Sequence, residues 1–244
     1  MIADRDLIHP LRTDESTGEP YLQLPAPYAH IVLTPQRLSD AAASVKHMND
    51  PRVYMFITGP PLPYLEEHAL AWIRTCTEES ESALAQLCAG ARFVDGCPVR
   101  VIRDISNSSI ADAPLIGDCG FGRHGFGEMA KTRPVEAKQL EEANMARKTG
   151  DPGITWTIGD YMAPAYAGQG IMSAVVRTLI EHWAVPRMNA RHIVVSALMG
   201  NRGSVRVFEK CGFKALPDVP DVVQMVEAKG GARTGLHMLE WSGK

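Results

Sequence analysis

Gly168, Gln169 and Gly170 carry the residue types and spacing best suited to binding chemistry in this chain. Glycines on either side of one residue let the backbone bend tightly and come close to a ligand. Ile171 onward reads as a helix, and a helix start presents amides without carbonyl partners at the positive end of the dipole. The guest that suits such a turn is an anion, a phosphate or pyrophosphate first of all. The same geometry also serves as a plain strand-to-helix turn. Gly120, Gly122 and Gly125 spell a second glycine pattern, G-x-G-x-x-G. Lys131, Thr132, Arg133 and Pro134 follow it where a dinucleotide turn needs a helix with an apolar face, so it reads as a flexible strand end. Cys76, Cys88, Cys97, Cys119 and Cys211 include no C-x-x-C pair, and the histidines show no H-x-x-x-H spacing. Neither a disulfide framework nor a metal site is indicated. Cys119, beside Asp118, reads as a small buried hydrophobe.

The elements that must position the glycine turn lie on either side of it. Ile154, Trp156 and Ile158 alternate with Thr155 and Thr157, which predicts a strand over 154–162. Ile171, Met172, Val175, Val176, Leu179, Ile180 and Trp183 keep one face apolar through four turns, which predicts a helix that Pro186 stops. Upstream, Pro10, Pro20, Pro25 and Pro27 with Gly18 favour an extended arm over residues 1–29. Residues 30–244 read as a single domain that starts with a strand at HIVLT. A helix over Ala41–Met48 follows, with Ser39 or Asp40 as its cap. Leu65, Ala69, Trp72 and Ile73 mark a second helix. Residues 83–93 and 99–105 read as two strands around a Gly-Cys-Pro turn. PLIGDCGF predicts another strand, and 127–153 a charged surface insertion with a short solvated helix. RHIVVSAL is a strand, and Asn201 caps a helix over 202–210 that Gly212 ends. Two further strands flank Gly230 and Gly231.

Composition excludes several classes of function. Hydrophobic content of 45% with 22% charged residues is that of a globular protein with a core. With 25 basic and 28 acidic residues the net charge is −3, so no global basic field favours nucleic acid or an anionic membrane. The N-terminus mixes both charge signs without a signal-peptide core, and no run long enough to span a membrane occurs. A soluble, cytoplasmic protein is expected.

Taken together, four stretches resemble the GNAT superfamily of acetyl-CoA-dependent N-acetyltransferases, in its ribosomal-protein N-terminal acetyltransferase branch. LTPQRLSDAAASVKHMNDPRV looks like the branch's first strand and helix, and GPPLPYLEEHALAWI like the segment after them. PAYAGQGIMSAVV falls where the family has its pyrophosphate motif, Q/R-x-x-G-x-G/A. NRGSVRVFEKCGF is similar to N-x-x-S-x-x-x-Y/F-E-K-x-G-F. The resemblance spans residues 30–214 in family order. It implies an α/β (α+β) fold, a mixed, mostly antiparallel twisted sheet of roughly six to seven strands flanked by helices. Two central strands, here 154–162 and 192–198, would splay to admit a pantetheine arm.

Carried over residue by residue, the resemblance implies that backbone groups of Met162 and Ala163 meet the arm. Amides of Gly168, Gln169, Gly170, Ile171 and Met172, with Ser173, would hold the pyrophosphate of acetyl-CoA. Asn201 and Ser204 would contact the cofactor or act as simple helix caps, and Phe208 would pack beside the thioester. Two positions depart from the motif. Ala167 replaces Gln or Arg, and Met172 replaces Gly or Ala, so that its side chain either reshapes the pocket or lies on the core. Phe208 stands where many members have a proton-donating Tyr. Asp160 is the first candidate for the base that frees an amine, Asp118 the second, and His124 and Glu128 weaker ones. The activity expected is direct acetyl transfer to a small-molecule or peptide amine, without a metal, nucleic acid or membrane, by a monomer or homodimer. The alternative is a non-catalytic acyl-CoA-binding or regulatory protein on the same fold.

Overall fold

Short apolar runs separated by turn residues pair into one sheet along residues 7–243, which the computed structural model describes. The strands are β1 (Arg12–Thr13), β2 (Pro20–Gln23), β3 (Ile31–Thr34), β4 (Val101–Asp104), β5 (Leu115–Arg123), β6 (Thr155–Met162), β7 (His192–Leu198), β8 (Lys214–Ala215), β9 (Val219–Gln224) and β10 (Arg233–Ser242). They lie in the order β1-β2-β3-β4-β5-β6-β7-β10-β8, with β9 also on β10. The ten strands among the described residues exceed the expected number because β1, β2 and β8 are only two to four residues long and leave little periodic signal. Every pairing is antiparallel except β6 with β7.

The helices are α1 (Ala41–Met48), α2 (Pro51–Tyr54), α3 (Glu66–Cys88), α4 (Pro134–Met145), α5 (Ile171–Leu179), α6 (Val185–Met188) and α7 (Arg202–Lys210). α3 corrects the reading of residues 83–93 as a strand, since its last turns run through Cys88. Its buried residues Ala69, Ile73, Cys76, Ser80, Ala83 and Leu87 fall alternately four and three apart, the period of one helical face. Asp40 also departs from its expected part. Its side chain makes no capping bond to α1 but accepts from the Arg37 N–H at 2.8 Å and grips buried Arg103 at 2.7 and 2.9 Å. Thr34 Oγ1 and the Ala113 carbonyl take further guanidinium protons. A charge this deep needs such a set of partners.

Pro186 does not stop the helix that follows the glycine turn. A π-helical turn, Ile180–Ala184, widens the backbone between α5 and α6, and Pro186 lies inside α6. Widening removes the bond that proline cannot donate and the clash its ring would cause. The helix ends instead at Asn189, in the left-handed region at φ 52°.

The expected extended arm is packed. In its described part, Ile8, Leu11, Leu22 and Leu24 are buried in the main core. Arg187 Nε donates to the His9 carbonyl and Nη2 to that of Leu7. α4 lies in the charged insertion and is largely exposed. Asn144 ties it to the sheet, donating to the Thr155 and His124 carbonyls and accepting from Thr155 N–H. The main core gathers Trp156 and Ile158 of β6 with Ile171, Val175, Leu179 and Trp183 of the α5 region. A smaller cluster, Ala41, Tyr64, Ala69 and Ile73, joins α1 to α3.

A candidate active site where two parallel strands part

β6 and β7 pair only at Thr155 with His192 and Trp156 with Ile193, at their N-terminal ends. β6 stays in register with β5 from Trp156 through Met162, and β7 with β10 along its whole length. The two parallel strands therefore part beyond Trp156. Alternate residues of a strand bond to opposite neighbours. The Ala163 amide donates to the Ile116 carbonyl and the Thr155 carbonyl accepts from His124, so Thr157, Gly159 and Tyr161 bond the same way, to β5. Ile158, Asp160 and Met162 are left with peptide groups directed into the gap. An amide-bearing chain entering it would meet an unpaired strand edge.

Both linkers at the mouth of the gap start helices. After β6, Gly168 and Gly170 adopt φ 77° and 81°, where a side chain would be strained. Space beside Gly168 is open. The first intrahelical bond of α5 runs from Ala174 N–H to the Gly170 carbonyl, so the amides of Ile171, Met172 and Ser173 have no helical acceptor. After β7, the Asn201 side chain accepts from Ser204 N–H at 3.1 Å and caps α7.

The expected site residues divide under this geometry. Met162 offers an edge peptide to the gap, whereas Ala163 does not. Its N–H is spent on Ile116 and its carbonyl receives Tyr166 N–H. Gly168, Gln169, Gly170, Ile171, Met172 and Ser173 form the glycine turn and helix start. The Met172 side chain is buried in the core, so it lies inward and leaves its amide to the turn. Asn201 and Ser204 are engaged as a helix cap beside the mouth. Phe208 is 1% exposed, edge-on to Phe213 at 5.1 Å between centroids. It is a core residue and has no surface to offer a ligand.

Asp160 shares a strand face with buried Trp156 and Ile158, and the residue as a whole is half-buried. Burial, with the Asp118 charge second, pushes its pKa up to about 7. A carboxyl so poised exchanges protons near neutrality. Asp118 is different. Arg100 holds it bidentately at 2.8 to 3.1 Å and Gln36 Nε2 donates at 3.0 Å, so both carboxylate oxygens are already engaged. Sequence reasoning missed this pairing because Arg100 and Asp118 meet only through the β4–β5 ladder. Arg100 also stacks on Trp72 at 4.9 Å and fills the space above Gly120, where a β-carbon would lie 2.6 Å from its guanidinium. Gly120 of the G-x-G-x-x-G pattern therefore serves packing, whereas a β-carbon on Gly122 or Gly125 would meet only ordinary contacts at 3.5 Å or more. His124 and Glu128 pair with each other at 3.2 Å. Cys119 is fully buried and its thiol is pushed up by burial, so it stays neutral.

The family model described as an acetyltransferase (GNAT) domain matches residues 30–214. The chain belongs to the GNAT acetyltransferase family. No curated protein matches it in sequence. Among solved structures, the ribosomal-protein-S5-alanine acetyltransferase of Vibrio fischeri is similar at TM-score 0.57 and 14% identity, covering 87% of this chain and 93% of that one. RimL, a ribosomal L7/L12 α-N-protein acetyltransferase, is similar at TM-score 0.59 and 13% identity over 96% of this chain and 99% of that one. RimJ of Mycobacterium smegmatis, solved in complex with CoA-disulfide, reaches TM-score 0.54 and 18% identity over 92% and 87%. At such identities the likeness is one of fold. Among the described residues no three or more His, Cys, Asp and Glu gather as metal ligands, and no helix is long and apolar enough to cross a membrane.

Proposed function

We propose that this GNAT protein is an acetyl-CoA-dependent N-acetyltransferase that transfers the acetyl group to a primary amine by direct attack in a ternary complex. The observation that carries this reading is the opening between β6 and β7, which leads from the Asp160 edge to the free amides after Gly170. Edge peptides of Ile158, Asp160 and Met162 would pair with the amides of the pantetheine arm. Those of Ile171, Met172 and Ser173 would take the pyrophosphate. The donor supplies an acetyl thioester, whose carbonyl needs a hydrogen-bond donor during attack, and the N–H groups on the open edge of β6 are the ones in position to serve.

Asp160 would take the proton from the incoming amine, directly or through one water. Its pKa of about 7 suits an α-amine, of which roughly a tenth is neutral at pH 7, far better than a lysine side chain, neutral only a few times in ten thousand. Peptide N-termini and small molecules with weakly basic amines are the favoured acceptors, in keeping with the names of RimL and the Vibrio enzyme. The setting proposed is the cytoplasm. Buried Phe208 gives no proton to the departing thiolate, so solvent supplies it.

Phe208 also supports a second reading, a non-catalytic acyl-CoA-binding protein. Two measurements separate them. Saturating acetyl-CoA should raise the melting temperature, and a shift of zero sinks both readings. Thiol release with a panel of N-terminal peptides and small amines should follow under the first reading. Cofactor binding with no release against any amine leaves the second.

A further inference from the structure

Tyr28 belongs to the segment expected to be a free arm, yet its hydroxyl donates to the Gln169 carbonyl at 3.0 Å across 141 residues of sequence. A β-carbon on Gly170 would lie 2.5 Å from that oxygen, so the phenol sits against the glycine turn. The ring packs on the main core, and the chain leading to it is anchored by Leu22 and Leu24.

One bond has a large effect here because of the peptide it holds. In a trans peptide the carbonyl and the N–H point in opposite directions. Holding the Gln169 carbonyl toward Tyr28 aims the Gly170 N–H away from it and adds a fourth amide to those of Ile171, Met172 and Ser173. Gly170 tolerates either sign of φ, so the Gln169–Gly170 peptide flips at small steric cost. The flipped form turns a carbonyl oxygen where the N–H was, and a carbonyl repels phosphate. We infer that Tyr28 is a positioning residue for the donor site, locking the glycine turn in the orientation that binds the pyrophosphate of a coenzyme A thioester. This rests on the donor reading above. The hydrogen bond forms before the ligand arrives, so the cost of ordering the turn is met during folding.

The test compares wild type with Tyr28→Phe, which keeps the ring and loses the hydroxyl, using acetyl-CoA and S-acetyl-pantetheine, a donor without the pyrophosphate. With acetyl-CoA, KM and the CoA Kd should rise about three- to tenfold, the effect of one hydrogen bond, while kcat stays within twofold. With S-acetyl-pantetheine, kcat/KM should be equal in the two proteins. Equal losses with both donors, or none with either, overturn the inference, because a general packing defect does not discriminate between donors. If wild type binds no CoA, the donor reading fails and this inference with it. If wild type binds CoA and Tyr28→Phe binds it equally well, only this inference fails.

Discussion

Asp160 is the residue on which pH should act. Its carboxyl protonates at about 7, against an ordinary value near 3.8. Under the proposed mechanism kcat/KM should fall tenfold for each pH unit below about 7, in a pH–rate profile taken with a weakly basic acceptor. Asp160→Asn should lower kcat by about 10²–10⁴. Stability follows from the same shift. Between the ordinary and raised values the folded state binds more protons than the unfolded state, so stability declines as pH rises and the loss is complete above 7. Asp160→Asn removes this penalty and should stabilise by about 1–3 kcal/mol at pH 8, with little change at pH 4. A variant that loses activity without that pH-dependent gain in melting temperature would refute the buried-carboxyl account. The identity and strand of Asp160 were legible in the sequence, and so were the glycines. That Asp118 is taken by Arg100 and Gln36 was not, because residues on separate segments meet only through strand register.

Among the elements, the glycine turn and its helix were the most legible, since a periodic apolar face and two glycines are local signals. What lay beyond local reach was tertiary compensation. The π turn lets the helix pass Pro186, and the face of α3 continues through a stretch whose composition also suits a strand. The turn itself admits a direct test. Gly170→Ala places a side chain at φ 81° and against the Tyr28 hydroxyl, and should cost about 1–3 kcal/mol of stability. In a Tyr28→Phe background the clash is relieved, so the same substitution should cost less. Additive losses in chemical denaturation would mean that the two residues do not share the space described.

At the scale of the molecule, the N-terminal segment is where sequence and structure differ most. Prolines and scattered charges suggested a free arm, yet Ile8, Leu11, Leu22 and Leu24 are buried and β2 covers the edge of β3. Isolated apolar residues between prolines have no period to read, so only the assembled core shows their use. Deleting residues 1–29 should remove four buried aliphatic side chains, worth about 1.5–3 kcal/mol each, a loss comparable with the roughly 5–15 kcal/mol that holds a domain together. The shortened chain should aggregate or melt many degrees lower. A monodisperse product with unchanged melting temperature would contradict the packing. The sheet was legible as a class, from strand-like runs that match a known pattern, while its edge strands were not.

The position of β10 bears on how the protein is made. β10 lies between β7 and β8 and is paired with β7 along the whole of that strand, yet of the ten strands it is the last to leave the ribosome. Until it emerges, β7 has a bare edge on one side and, on the other, only its short contact with β6. Domains generally fold as units, so the sheet bearing Asp160 and the glycine turn is not complete until β10 arrives to pair with β7. A translation product ending before β10 would therefore carry nearly every donor-site residue and still lack a second wall for the cleft, with an open strand edge prone to pairing with its neighbours.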